Sequence, residues 1–208
     1  MSIGYFTLQG ECENTIIIER SKFICSMKCV DNEDDAKSFI ETIRKKHSLA
    51  NHNCYAYIAD DKGLIQKFSD DGEPQGTAGL PMLEVLKNKK LYKTVAVVTR
   101  YFGGIKLGTG GLTRAYSGSV TDCLKTGKVV NMLASKTFTT TIEYDGYSKL
   151  LKVLSSEDIK ILNTEFENLV SVSFAVKEDK VDIVLENISN AFNGKQKIFE
   201  KDSGYSAF

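Results

Sequence analysis

The residues TVAVVT (94–99) form an almost unbroken apolar run, and the twelve that follow, RYFGGIKLGTGG, hold five glycines before an amphipathic stretch begins. A run of β-branched residues with no polar face must be covered on both sides, so it reads as a central strand. Glycine permits positive φ and close approach of another backbone or a ligand. The chain is therefore expected to leave the sheet at a tight corner and return as a helix over 112–124. The opening turn of such a helix carries N–H groups without helical partners and a partial positive charge, and phosphate binds well there. Lys106 projects from the loop and Arg114 lies one turn into the expected helix. The candidate anion cradle is thus Arg100, Tyr101, Gly103, Gly104, Lys106, Gly108, Gly110, Gly111 and Arg114. The plainer alternative is that these glycines only make a corner and let the helix pack closely. Two well-known phosphate motifs are excluded. Gly108 is followed by Thr109 rather than the lysine of a Walker A loop, and Asp122 falls inside the expected helix rather than after a second strand.

Charge supports the cradle. The formal net charge is zero, but 1–134 carries 18 basic and 15 acidic side chains against 9 and 12 in 135–208. From Val85 to Thr121 there are Lys87, Lys89, Lys90, Lys93, Arg100, Lys106 and Arg114 and no acid, a segregation able to steer an anion. At 208 residues the chain suits two domains. No stretch approaches the roughly 18 apolar residues of a membrane span. The opening MSIGYFTLQGECENTI has no basic segment followed by an apolar run, so the expected location is the cytoplasm.

The rest of the pattern is α+β. Residues 16–19 and 23–28 read as a strand pair around Arg20, Ser21 and Lys22. Asn32 reads as a helix cap, with Glu33, Asp34 and Asp35 in the first turn and a stripe of Ala36, Phe39, Ile40 and Ile43 behind them. Residues 55–59 and 64–68 flank the turn DDKG, and 80–86 begin a short helix with Pro81 in its first turn. Amphipathic order lapses over 127–134, which sets domains of 1–133 and 134–208. The second reads strand 138–144, helix 147–154, strand 159–165, strand 169–176, helix 180–192, strand 196–200, the ferredoxin-like βαββαβ order.

Other residues bear on chemistry. Asp71 and Glu73, in the turn-forming SDDGEPQGTAG, suggest a metal or proton-transfer pair, or simply partners for Arg100 or Arg114. His52 and Cys54 share a strand face and suggest a base with its nucleophile, or a strand-entry histidine and small core filling. Five cysteines (Cys12, Cys25, Cys29, Cys54, Cys123) without a CxxC pair, and only two histidines, argue for reduced thiols and against a protein-ligated metal. No cofactor and no catalytic residue are expected from these patterns.

DDGEPQGTAGLPML (70–83) and VVTRYFGGIKLGTGGLTRAYSG (97–118), with SKFIC (21–25) and NHNCYAYIAD (51–60), resemble the paired signatures of the YigZ/IMPACT family. The resemblance implies an N-terminal α/β sandwich of four strands and two helices, similar to domain IV of elongation factor G, followed by a ferredoxin-like domain. Eukaryotic IMPACT proteins are linked to translational control during amino-acid starvation through an additional N-terminal domain whose pattern is not seen in this sequence. Some members carry a proline-dipeptidase label, and no metal-ligand set here matches it. The expected function is binding of a phosphate-rich ligand, RNA or a ribosomal particle, with a role in regulation of translation. The alternatives are an enzyme acting on a small phosphorylated or nucleotide ligand, and a protein-interaction module.

Overall fold

The computed structural model describes residues 4–208. Residues 1–3, part of the opening segment read above for a signal, lie outside that range. The chain divides into two compact units, Tyr5–Val130 and Asn131–Phe208, the latter with Gly4. No described helix is long and apolar enough to cross a membrane.

The first unit contains β1 (Gly4–Leu8), β2 (Glu11–Ile18), β3 (Ser21–Cys29), α1 (Glu33–Lys46), β4 (His52–Ile58), β5 (Gln66–Ser69), α2 (Gly79–Asn88), β6 (Thr94–Tyr101) and α3 (Gly108–Cys123). Five of its strands form an antiparallel sheet in the order β2-β3-β6-β4-β5, so the apolar run is indeed central. Its side chains alternate between two cores, as a strand's period of two requires. Val95 and Val97 meet the stripe of α1 (Ala36, Phe39, Ile40, Ile43) on one face. Ala96 and Val98 meet Met82, Leu86, Leu112, Tyr116 and Val120 of α2 and α3 on the other. The sheet has five strands and three helices where the family resemblance implies four and two; the pattern of residues itself marks all eight elements. The strand pair at the start is longer than expected. It turns on Glu19 and Arg20, which both take positive φ (45° and 62°), and Ser21 already belongs to β3.

Two carboxylate and amide caps fix the helices on this sheet. Asn32 accepts a hydrogen bond from the Asp35 amide (2.9 Å) at the start of α1. The start of α2 is capped from a distance by Asp70, whose carboxylate accepts from the amides of Gly76, Ala78 and Gly79 at 2.8–3.0 Å. This draws the loop 70–78 across the end of the sheet.

The second unit runs β7 (Val129–Ile142), α4 (Tyr144–Leu154), β8 (Ile159–Phe166), β9 (Val170–Lys177), a single 3-10 turn (Glu178–Lys180), α5 (Val181–Ala191) and β10 (Ile198–Ala207). Its strands pair antiparallel in the order β10-β7-β9-β8. That is the ferredoxin-like arrangement. Phe138, Phe174, Leu150, Leu154, Val184 and Ile188 fill the space between sheet and helices. α4 starts three residues earlier than the pattern indicates, and β10 runs on to Ala207.

Candidate functional site

Strand register assembles the site. Phe23 of β3, Arg100 of β6 and His52 of β4 are direct cross-strand neighbours, so they stand abreast on the face covered by α2 and α3. The loop capped by Asp70 brings Glu73 over them. Arg100 Nη1 donates to Glu73 Oε1 at 2.7 Å, and the Tyr116 hydroxyl donates to the same oxygen at 2.7 Å. Arg100 is 5% exposed and the Glu73 side chain 3%, so this is a buried ion pair. The guanidinium lies between the rings of Phe23 and Phe102, 5.3 and 5.4 Å from their centroids. Its Nε has no hydrogen-bond partner. Arg100, expected as a free cation of the cradle, thus has its charge met inside the protein, because the acidic loop folds onto it.

His52 is oriented by the backbone. Its Nδ1 lies 2.8 Å from the carbonyl of Asp71, and a carbonyl can only accept, so Nδ1 carries the proton. Nε2 is left facing Glu73 Oε1 at 3.9 Å. The remaining corner is pinned by polar side chains. Asn51 Oδ1 accepts from the Phe102 amide (2.8 Å), and Ser21 Oγ accepts from the Gly103 amide (3.1 Å). A Cβ on Gly103 would lie 2.0 Å from the carbonyl carbon of Arg20, so only glycine fits against the β2–β3 turn.

α3 begins at Gly108, four residues before the expected start, with Leu107 as its cap residue and no side chain capping it. Gly108, Thr109 and Gly110 are exposed, and nothing lies within 4 Å of a Cβ built on Gly108 or Gly110. The first turn of the helix is therefore exposed and carries no side-chain cap. A cavity of about 440 Å³ lies between this turn and the buried pair, lined by His52, Glu73, Phe102, Lys106, Gly108 and Thr109 among others. Every contact of the Glu73 carboxylate falls on Oε1; Oε2 has no partner among the described residues and is left to the cavity. On the far side of Lys106 a second hollow of about 480 Å³ is lined by Glu19, Gly111 and Arg114. Lys106 and Arg114 are exposed and form no ion pair among the described residues.

The expected site residues thus divide. Glu73, Arg100, Lys106 and Gly108 share one cavity, while Gly111 and Arg114 share the next with Lys106. Gly104 and Gly110 line neither, and Gly103 serves the corner. Tyr101 bonds His47 Nδ1 through its hydroxyl (3.1 Å). Asp71 is held away from the cavity by Arg44 (3.3 Å) and by the Asn53 amide (2.6 Å). Asp71 and Glu73 therefore do not form a pair, and no cluster of three or more metal-binding side chains occurs among the described residues. Cys54 is fully buried, burial pushes its thiol up, and it donates to the Asp70 carbonyl, so it is core filling rather than a nucleophile. Tyr116 is likewise fully buried, with its hydroxyl pushed up by burial. The sequence reading missed Thr109 and Asn51. The polar pinning of a glycine corner leaves no periodic signal.

The chain matches the model of the Impact N-terminal domain over residues 19–124 and that of a domain of unknown function, DUF1949, over 140–195. It is 42% identical to the IMPACT family member YvyE of Bacillus subtilis (strain 168), covering 97% of this chain and 93% of the relative. It is 38% identical to the IMPACT family member YigZ of Escherichia coli (strain K12), covering 79% and 81%. A solved structure titled as that of a hypothetical protein superposes with a TM-score of 0.61 at 32% identity, covering 97% of this chain and 98% of its own.

Proposed function

The chain belongs to the IMPACT family, and from that premise we propose that its N-terminal domain (1–133) binds a phosphate-rich ligand, RNA alone or in a ribosomal particle, in the regulation of translation in the cytoplasm. The ferredoxin-like domain (134–208) accompanies it. The observation that carries the reading is the uncapped, solvent-facing first turn of α3, beside two exposed cations without acidic partners. Such a turn offers several N–H donors at once and a positive end of a sixteen-residue helix. Phe102, 46% exposed at the rim, supplies a face on which a base can stack.

The number of free cations sets the salt response. Lys106 and Arg114 neutralising about two phosphates of a single strand give a slope of log affinity against log salt of roughly −1.4, at about 0.7 per phosphate. Fluorescence anisotropy of a labelled single-stranded RNA across a salt series measures it. Lys106→Ala and Arg114→Ala are expected each to weaken binding several-fold and to flatten the slope. Binding indifferent to salt and to both substitutions, or none to RNA or ribosomal particles, contradicts the proposal.

A further inference from the structure

The cavity beside the first turn of α3 holds more than a seat for phosphate. At its inner wall stand two hydrogen-bond acceptors with no donor to meet them. One is Glu73 Oε2, on a side chain 3% exposed that is anchored through its other oxygen by Arg100 and Tyr116. The other is His52 Nε2, an acceptor in the neutral ring because Nδ1–H donates to the Asp71 carbonyl. Both acceptors open to the cavity, where water meets them, and a ligand bearing hydroxyl groups can take the place of that water. At the rim stand Phe102 and Pro74, an apolar platform. At the other end are the amides of Gly108 and Thr109 and the cation of Lys106.

Three chemistries are therefore required of one occupant: an anionic group for the amides, a flat apolar group for Phe102, and neighbouring hydroxyl donors for Glu73 and His52. A volume of about 440 Å³ falls in the range of small-ligand sites and suits a single nucleotide rather than a longer segment. We infer that this cavity binds one ribonucleotide, with its phosphate on the first turn of α3, its base against Phe102, and its ribose cis-diol donating to Glu73 Oε2 and His52 Nε2. The inference rests on the phosphate-binding reading of the same turn and deepens it. A free nucleoside 5′-monophosphate and the 3′-terminal nucleotide of an RNA present the same chemistry.

Isothermal titration of the full chain with AMP, dAMP and inorganic phosphate tests it, with an RNA oligonucleotide carrying a free or a phosphorylated 3′ end as further arms. AMP is expected to bind about tenfold more tightly than dAMP, the worth of one hydrogen bond to a charged group, and Phe102→Ala is expected to weaken AMP by a similar factor. Thr109→Glu places a carboxylate where the helix end favours one, so the fold is retained while the phosphate is repelled; binding is expected to be lost with the melting temperature unchanged or raised. Preference for AMP over both RNAs identifies the free nucleotide as occupant, and preference for the free 3′ end over the phosphorylated one identifies the RNA terminus. Equal affinity for AMP and dAMP, or AMP binding intact in Thr109→Glu, overturns the inference. If no nucleotide binds and the two RNA ends bind alike in a salt-sensitive way, this inference fails and the broader proposal stands; if neither nucleotide nor RNA binds, both fail.

Discussion

At the scale of single residues, much of the chemistry in this chain is arranged by backbone groups that a sequence does not display. Glu73 is readable as a partner for Arg100, and the structure confirms that pairing. That His52 takes its tautomer from the Asp71 carbonyl, or that Asn51 pins Phe102, follows only from the register of β4 on β6 and the path of the loop. His47 shows the energetic side of such placement. Its Nδ1 is bonded to Tyr101, its Nε2 is buried without a partner, and burial, followed by the charge of Lys46, holds its pKa below the ordinary 6.5. The unfolded chain therefore takes up this proton first, and stability falls as pH drops below 6.5 until the folded value is passed. Glu13 acts lower down. Its hydrogen bond to Lys46 holds it below 4.5, so its contribution is present above that value and lost only in stronger acid. Thermal melts between about pH 7.5 and about pH 5.5 are expected to show a declining midpoint that His47→Gln flattens. An equal decline in the variant contradicts this assignment.

At the scale of elements, the start of α3 is where composition misleads. Three glycines and a threonine are poor helix formers, each glycine costing up to about 1 kcal/mol, and their pattern predicts a loop up to residue 111. The structure has helix from Gly108 because Leu107, Leu112 and Ala115 are drawn into the core beneath the turn, so tertiary packing overrides local preference. By contrast α1 and β6 are legible in full. Asn32 with its acids and stripe, and the apolar run, need no long-range information to be recognised. The glycines of the corner differ in kind, and substitution separates them. Gly103→Ala forces a methyl into the β2–β3 turn and is expected to cost about 3 kcal/mol. Gly110→Ala meets nothing within 4 Å and is expected to stabilise by roughly 0.5–1 kcal/mol through helix propensity. Urea denaturation of the two variants checks both signs, and a harmless Gly103→Ala would show that the close approach is not real.

At the scale of the whole molecule, amphipathic order lapses over 127–134 and restarts in the ferredoxin-like order, while the compact units divide between Val130 and Asn131. The distribution of charge is less legible in the sequence. The seven cations of 85–121 look like one basic segment, but β6 carries the chain roughly 23 Å from Thr94 to Tyr101, between Lys93 at its entry and Phe102 beyond its exit. Lys87 and Lys93 are paired with Glu84 and Asp31, and Arg100 with Glu73. What remains at the corner is a focused pair, Lys106 and Arg114, around the helix end. The proposed ligand would therefore meet one turn of backbone and not a broad basic face. Amide chemical shifts of the labelled protein, followed while a short single-stranded RNA with a 5′-phosphate is added, test this most directly. The largest changes are expected at the amides of Gly108, Thr109 and Gly110; shifts confined to the lysines at 87–90, with those three amides unmoved, would contradict it.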